Sequence, residues 1–298
     1  MLDPTCQHVF ALRDYDLAAT LLSGQAFRWR QNGVWFEGVV GNRWVGLQQT
    51  EQGILAETAM PVNDWRWLTN YLQTDIDLAE VVHSFPDDEP MRAAISACRG
   101  LRLLRQDPWE CLASFILSST KQIVQIQQIV ALLCERFGDS LIVPAGHAPV
   151  FSFPNATRLA ACAEPELRDC KMGFRAPNLL RAANMVAHNE IDLEGLRSRT
   201  VDEARDELLK LPGVGNKIAN CVLLFGYGFQ QAFPVDVWVL KALQQLYFPK
   251  RRASAKRLAR FTATHFGPNA GYAQQYLFHY MRVHAPDTHE DRTAKKRS

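Results

Sequence analysis

The rhythm of apolar and polar positions changes near residue 99. Before it, short apolar runs alternate with turn signals: Phe27-Arg28-Trp29-Arg30, then Asn32-Gly33, then Val34-Trp35-Phe36-Glu37-Gly38-Val39-Val40. Asn-Gly marks a two-residue hairpin because both central residues of a type I′ turn need positive φ. Gly41-Asn42 leads into Arg43-Trp44-Val45-Gly46-Leu47, so at least three antiparallel strands are predicted. Asp64–Ser84 reads as helical and Pro86–Pro90 as a polar loop. After residue 99 the pattern is helical. Asp107-Pro108-Trp109-Glu110 has the form of a helix start, with Asp as N-cap, Pro at N1 and Glu at N3 to bond back. Ser118-Ser119-Thr120-Lys121 interrupts the apolar pattern, which resumes at Ile123, Ile126, Val130, Leu133 and Phe137. Thr200 and Glu203 form a capping box that opens a helix through Lys210. The expected fold is therefore α+β: an antiparallel sheet domain over 1–98 and an all-helical domain over 99–298.

Composition sharpens this division. With 47% of its 298 residues hydrophobic, the chain can bury a core, and no apolar run reaches the roughly 18 residues needed to cross a bilayer. The net charge of +2 hides an asymmetry: residues 1–98 carry 6 basic and 13 acidic side chains, and residues 99–298 carry 27 and 18. The second part can accept an anionic partner, although charge alone does not identify one. Seven cysteines, widely spaced and without a CxxC pair, argue against a disulfide framework or a zinc knuckle. An intracellular setting follows, with a bacterial cytoplasm or nucleoid favoured over a nucleus. The tail Lys295-Lys296-Arg297 reads first as a solvated basic end.

The most informative segment is Leu208-Leu209-Lys210-Leu211-Pro212-Gly213-Val214-Gly215-Asn216-Lys217-Ile218-Ala219. A helix ending at Leu211, a tight turn and a second helix from Asn216 would leave main-chain N–H groups uncovered at a helix start. Phosphate binds there through free donors and the helix dipole. Gly213, Val214 and Gly215 are thus candidates to grip a nucleic-acid backbone, the alternative being an ordinary glycine-capped turn. Lys217 lies near the positive end of the second helix, where an ammonium is disfavoured and the neutral-amine fraction rises. Such an amine can form a Schiff base with a sugar carbon. A phosphate-contacting lysine fits the spacing equally well. In Phe233-Pro234-Val235-Asp236-Val237-Trp238, Asp236 reads as an N-cap, and an ionised carboxylate there can also stabilise an oxocarbenium-like sugar.

Together these segments resemble the helix–hairpin–helix glycosylase superfamily and, within it, the 8-oxoguanine DNA glycosylase/lyase family. Ser23-Gly24-Gln25-Ala26-Phe27-Arg28-Trp29 resembles that family's SGQ-x-FRW motif, and Tyr71–Ala79 its YLQ-x-D-x-x-LA segment. Gln106–Leu112 with Phe115–Ser119 resembles its QDP-x-ECL-x-SFI-x-SS helix, and Ala273–Phe278 completes the series. The likeness runs from about residue 10 to residue 283. It implies a TATA-binding-protein-like sheet domain before the helical domain, and a chain that acts as a monomer on damaged double-stranded DNA. Lys217 would attack C1′ of a flipped nucleotide and Asp236 would stabilise positive charge. The Gly24 carbonyl would read the N7–H of 8-oxoguanine, and Gln274 the Watson–Crick edge. Cys221 and Phe278 would sandwich the base. Thr120 and Lys121 would lie at the emptied stack with Phe174 and Arg175 as wedge, and Trp238 would stand where the family has a backbone-contacting histidine.

The sequence also departs from the animal enzymes of this family. Thr120, Lys121 and Gln122 replace an asparagine run, and Gln125 replaces an arginine that reads the orphaned cytosine, while Arg175 keeps the second arginine reader. Strict selection for cytosine opposite the lesion is therefore not expected. No cysteine follows Cys221, so the four-cysteine iron–sulfur centre of related glycosylases is not expected, nor is any other metal or cofactor. Lys250, Arg251, Arg252, Lys256, Arg257 and Arg260 form a basic run that is either a solvated face or a phosphate contact. Two rival functions are an alkylpurine glycosylase of the same plan, which typically uses the Asp alone, and a non-catalytic DNA-gripping module. Lys217 counts against the first, and Lys217 with Asp236 against the second.

Overall fold

The computed structural model describes residues 5–118, 121–250 and 253–284. A five-stranded antiparallel sheet has the order β1-β5-β4-β3-β2, built from β1 (Thr5–Ala11), β2 (Arg30–Asn32), β3 (Trp35–Val40), β4 (Arg43–Thr50) and β5 (Gly53–Val62). The expected meander is its centre. Asn32 pairs with Trp35, so the turn is Gly33-Val34, one residue later than the Asn32-Gly33 reading, and Val40 pairs with Arg43 across Gly41-Asn42, with Gly33 and Gly41 at φ +59° and +58°. Two strands not anticipated complete the sheet: β5 returns along β4, and β1 lies on its outer side. Phe27 and Trp29 fall outside β2. Trp29 is instead buried, its Nε1 donating to the Tyr71 hydroxyl at 2.8 Å, and Gly38 on β3 leaves the space its ring fills.

The helical reading of Asp64–Ser84 resolves into two helices, after the short α1 (Leu17–Leu22): α2 (Arg66–Leu72) and α3 (Leu78–His83). Gln73 turns left-handed at φ 54°, and Asp77 recaps the chain by accepting from the amides of Ala79 and Glu80. The expected loop Pro86–Pro90 is shorter than its composition suggests, since Asp88 caps α4 (Glu89–Ala97) and Pro90 sits in its first turn. Asp107 caps α5 (Pro108–Leu117), accepting from Glu110 N at 2.8 Å. Glu110 does not bond back. Its carboxylate lies 3.4 Å from Arg28, joining α5 to the sheet side, and burial holds its carboxyl above the usual range despite that cation.

The rest is helical: α6 (Ile123–Phe137), α7 (Ala156–Ala160), α8 (Glu164–Leu167), α9 (Ala176–Ala187), α10 (Val201–Leu208), α11 (Asn216–Val222), α12 (Val237–Ala242), α13 (Ala255–His265) and α14 (Ala270–His284). Thr200 caps α10 with the predicted reciprocal box, although the helix stops at Leu208. Two cores form. Phe10, Trp29, Phe36, Leu47, Ile54, Leu68 and Leu72 pack between the sheet and α1–α2. The larger core gathers the later helices and also takes in Leu78, Val81, Phe85 and Met91. The division at residue 98 is thus not a division of the packing, because α3 and α4 join the helical core. Gln25 ties the halves together, its Nε2 donating to Thr20 O and Arg102 O at 2.9 and 2.8 Å while its Oε1 accepts from Leu104 N at 2.8 Å.

Candidate active site and DNA interface

The hairpin forms from α10 and α11 as the glycines require. Gly213 is left-handed at φ +77° and lies against Asn178 of α9, so that a Cβ there would come within 2.7 Å of the Asn178 amide nitrogen. Gly215 is the N-cap of α11 and offers no side chain, which leaves the first amides of that helix without a side-chain acceptor. Both glycines are exposed. Val214 corrects the sequence reading: its side chain is buried in the helical core and its N–H donates to Leu211 O at 3.1 Å. It anchors the turn from inside, and its amide is not available as a phosphate donor.

Lys217 occupies the first turn of α11 and is half-buried. Its Nζ donates to Ser118 Oγ at 3.0 Å and lies 5.0 Å from the centre of the Phe115 ring. One turn further along α11, Cys221 is buried, and desolvation pushes its thiol up to about 11, with Lys217 opposing and Asp236 reinforcing the shift. The group stays a neutral thiol at physiological pH and presents an apolar surface. Asp236 caps α12 as predicted, accepting from Val239 N at 2.8 Å. Burial dominates and raises its carboxyl above its ordinary value, while the Val239 hydrogen bond and the nearby Lys217 cation pull the other way. Lys217 and Asp236, at the starts of two helices, and Cys221, one turn along the first, therefore share one electrostatic environment.

The SGQ segment meets α14, and α14 packs on α12, the helix that Asp236 caps. Gly24 sits at φ +80°, where a Cβ would come 2.7 Å from Ile123 Cδ1 and 3.4 Å from Arg282 Nη1. Ser23 and Gln25 are buried, and their hydrogen bonds fix the loop around it. From α14, Gln275 Nε2 donates to Ser23 O and Arg282 Nη1 to Leu22 O, each at 3.2 Å. These two residues were missed in the sequence, although their seven-residue spacing puts them on one helix face. They bring Gln274 and Phe278 of α14 to the loop that carries Gly24. Gln274 is buried with its Oε1 lacking any hydrogen-bond partner, and Phe278 is half-buried against the helical core. A buried, unsatisfied amide oxygen is costly and points to a polar group that binds from outside.

The wedge candidates diverge. Phe174 is 64% exposed, whereas Arg175 is 2% exposed, its guanidinium 4.2 Å from the Phe174 ring centre. Phe174 projects from the surface, and Arg175 lies beneath its ring. Trp238 lies in the first turn of α12 beside Asp236, half-exposed, with Lys241 Nζ 5.4 Å from its ring centre. Lys121 is half-buried and its N–H reaches Ser118 O at 3.4 Å, and Gln125 Oε1 accepts from Gln122 N at the start of α6. Thr120, Arg251, Arg252 and Lys295–Arg297 lie outside the described residues. Lys256 and Arg260 are exposed on α13, and Arg257 packs over Phe248 at 4.7 Å. Among the described residues, no three His, Cys, Asp or Glu side chains gather in a way that could hold a metal ion. No helix among them is long and apolar enough to cross a membrane.

An uncapped hairpin helix bearing a lysine, facing a capped aspartate on the next helix, defines a base-excision DNA repair protein of the helix–hairpin–helix class. Residues 113–267 match the HhH-GPD superfamily of base excision DNA repair proteins. Residues 9–112 match the N-terminal domain of 8-oxoguanine DNA glycosylase, and the chain belongs to the 8-oxoguanine DNA glycosylase/lyase family. It is similar to the N-glycosylase/DNA lyase OGG1 of Arabidopsis thaliana, 32% identical over 284 residues that cover 88% of this chain and 76% of that protein. A probable N-glycosylase/DNA lyase of Methanothermobacter thermautotrophicus is 28% identical over 90% of this chain and 94% of its own. Among solved structures, the Clostridium acetobutylicum 8-oxoguanine glycosylase/lyase bound to duplex DNA with cytosine opposite 8-oxoguanine superposes with a TM-score of 0.85 at 30% identity, covering 90% of this chain and 92% of that one.

Proposed function

We propose that this chain is a bifunctional enzyme that excises 8-oxoguanine from duplex DNA and cleaves the strand 3′ to the lesion through a Schiff base on Lys217. The observation that carries the reading is the placement of Lys217 Nζ, half-buried and electrostatically coupled to Asp236 and Cys221. The damaged nucleotide must leave the stack, because C1′ and the base edge are out of reach inside a duplex. Phe174 is positioned to fill the gap, and the amides at Gly213 and Gly215 with the start of α11 hold the backbone. In the pocket, the Gly24 carbonyl accepts from N7–H, Gln274 bonds the Watson–Crick edge, and Cys221 and Phe278 close on the two faces. The amine lone pair of Lys217 forms the bond to C1′ as the glycosidic electron pair leaves with the purine, which takes up the proton the nitrogen releases. Asp236 stabilises the positive charge that builds on the sugar; the nitrogen lone pair then expels O4′, which takes up a proton as the ring opens to an iminium, and loss of the C2′ proton breaks the 3′ C–O bond with the phosphate as leaving group. Residues 1–98 supply Gly24 to this pocket and residues 99–298 the catalytic pair and most of the DNA surface. The enzyme acts inside the cell as a monomer, without an iron–sulfur cluster or other cofactor.

Incubating the protein with an 8-oxoguanine duplex and borohydride tests this directly. A covalent protein–DNA adduct is expected. Base release without an adduct would indicate a monofunctional glycosylase, and no release would leave only a DNA-binding module.

Two further outcomes follow from the pocket. Gly24→Ala forces a side chain into a left-handed position against Ile123, in a loop that Ser23 and Gln25 prevent from relaxing. The fold should lose about 1–2 kcal/mol, and single-turnover excision should fall by at least roughly tenfold as the reading carbonyl is displaced. Unchanged excision would remove Gly24 from lesion recognition. A panel of duplexes with each base opposite 8-oxoguanine should show excision rates within roughly tenfold of one another. With Arg175 folded under Phe174 and Gln125 engaged in capping, these two readers contribute little of the 1–3 kcal/mol that a good bidentate base contact supplies. Cleavage confined to the cytosine pair would refute this.

A further inference from the structure

We propose that Ser118 is the positioning residue for the nucleophile, its hydroxyl oxygen and the ring of Phe115 together fixing Lys217 Nζ in the orientation from which it attacks. The inference rests on the Schiff-base reading above and assigns it a residue outside the catalytic pair. Nζ donates to Ser118 Oγ at 3.0 Å and stands 5.0 Å from the Phe115 ring centre. The Ser118 proton is already committed, because Oγ donates to Phe115 O at 2.7 Å. A hydroxyl has one proton and two lone pairs, so Ser118 can only accept from the lysine. That fixes the direction of the contact: an N–H of the amine points at Ser118, and the remaining positions on nitrogen are turned elsewhere.

Both groups that touch Nζ belong to the last turn of α5, an element separate from the hairpin that carries Lys217. That turn is rigid. Ser118 is the C-cap of α5, with its N–H bonded to Phe115 O, and Phe115 is stacked on Phe225 at 5.7 Å and met edge-on by Phe27 at 5.4 Å. The C-terminal end of a helix carries partial negative charge, and an aromatic face attracts a cation. A lysine side chain otherwise surrenders rotamer freedom to hold one geometry. Here the loss is taken on folding, before DNA arrives, which is the advantage of a preorganised site. Ser118 supplies no proton transfer and touches neither sugar nor base. Its effect passes through the lysine alone.

The test compares Ser118→Ala, which deletes the acceptor, with Ser118→Thr, which restores it. Single-turnover excision and borohydride trapping on an 8-oxoguanine duplex are measured at saturating enzyme, alongside duplex affinity and melting temperature. In Ser118→Ala both rates should fall by roughly tenfold, with affinity and melting temperature as in wild type. Ser118→Thr should recover wild-type rates to within about twofold. Wild-type trapping by Ser118→Ala would overturn the assignment, as would a slow variant explained by weaker binding or a lower melting temperature. Failure of threonine to restore the rate in a stably folded protein would overturn it too. Absence of an adduct with the wild-type enzyme would remove the Schiff-base reading itself, and Ser118 with it, which distinguishes the two failures.

Discussion

Lys217→Gln abolishes the borohydride adduct and lowers base excision by roughly 10³-fold or more, with a melting temperature close to that of the wild type. The variant loses three things at once. An amide nitrogen has no available lone pair, so the bond to C1′ cannot form. The cation that favours the ionised form of Asp236 also disappears, which leaves burial to push that carboxyl further up. A side chain one bond shorter also falls short of Ser118 Oγ, now 3.0 Å from Nζ. Folding is little affected because the lysine is half-buried at the start of a helix, and its loss opens no cavity in the core. A persistent adduct in Lys217→Gln would show that another amine is the nucleophile. Excision at the wild-type rate without an adduct would show that Lys217 serves the lyase step only.

What the sequence made legible was local. Asp107, Thr200 and Asp236 were readable as helix starts because a cap is written within four residues, and each side chain accepts from the expected amide. The hairpin was legible for the same reason, since positive φ at Gly213 needs glycine. Contacts between distant segments were not. Gln275 reaches Ser23 across 252 residues, and no periodicity in either segment announces that bond. Without it, Gln274 and Phe278 read as an ordinary helix face. β1 escaped notice because it is an edge strand in which only Phe10 is fully buried, so its apolar signal is weak. The break at Gln73 was hidden because apolar spacing continues on both sides of it. Arg175 shows the opposite limit: the motif names the residue correctly, but packing under Phe174 decides where its charge goes. Asp236 shows a subtler one. The cap was evident, whereas the balance between cap and burial depended on which helices enclosed it.

That balance at Asp236 makes Asp236→Asn the second decisive variant, and it separates activity from stability. Burial raises the carboxyl pKa in the folded protein above its unfolded value. The folded state therefore binds the proton more tightly than the unfolded chain, and the group favours folding most below the unfolded pKa. That contribution is lost as pH rises through the folded pKa, so at neutral pH the ionised carboxylate is a net burden on the fold. Asparagine removes the charge and keeps an oxygen that can accept from Val239 N, as good an N-cap as aspartate. The melting temperature at neutral pH should stay level or rise. Excision should fall by roughly 10²–10³-fold, the loss expected when a preorganised group facing developing charge is removed. The same shift sets a pH dependence: wild-type excision should decline on acidification at a pH above the ordinary aspartate range, as Asp236 takes up its proton. Asp236→Asn should lack that limb. A variant both inactive and markedly less stable would assign Asp236 mainly to the fold, and an active, stable one would remove it from the chemistry. A stabilised but inactive enzyme is the outcome expected where a buried carboxylate is kept ionised for the transition state at the expense of the resting protein.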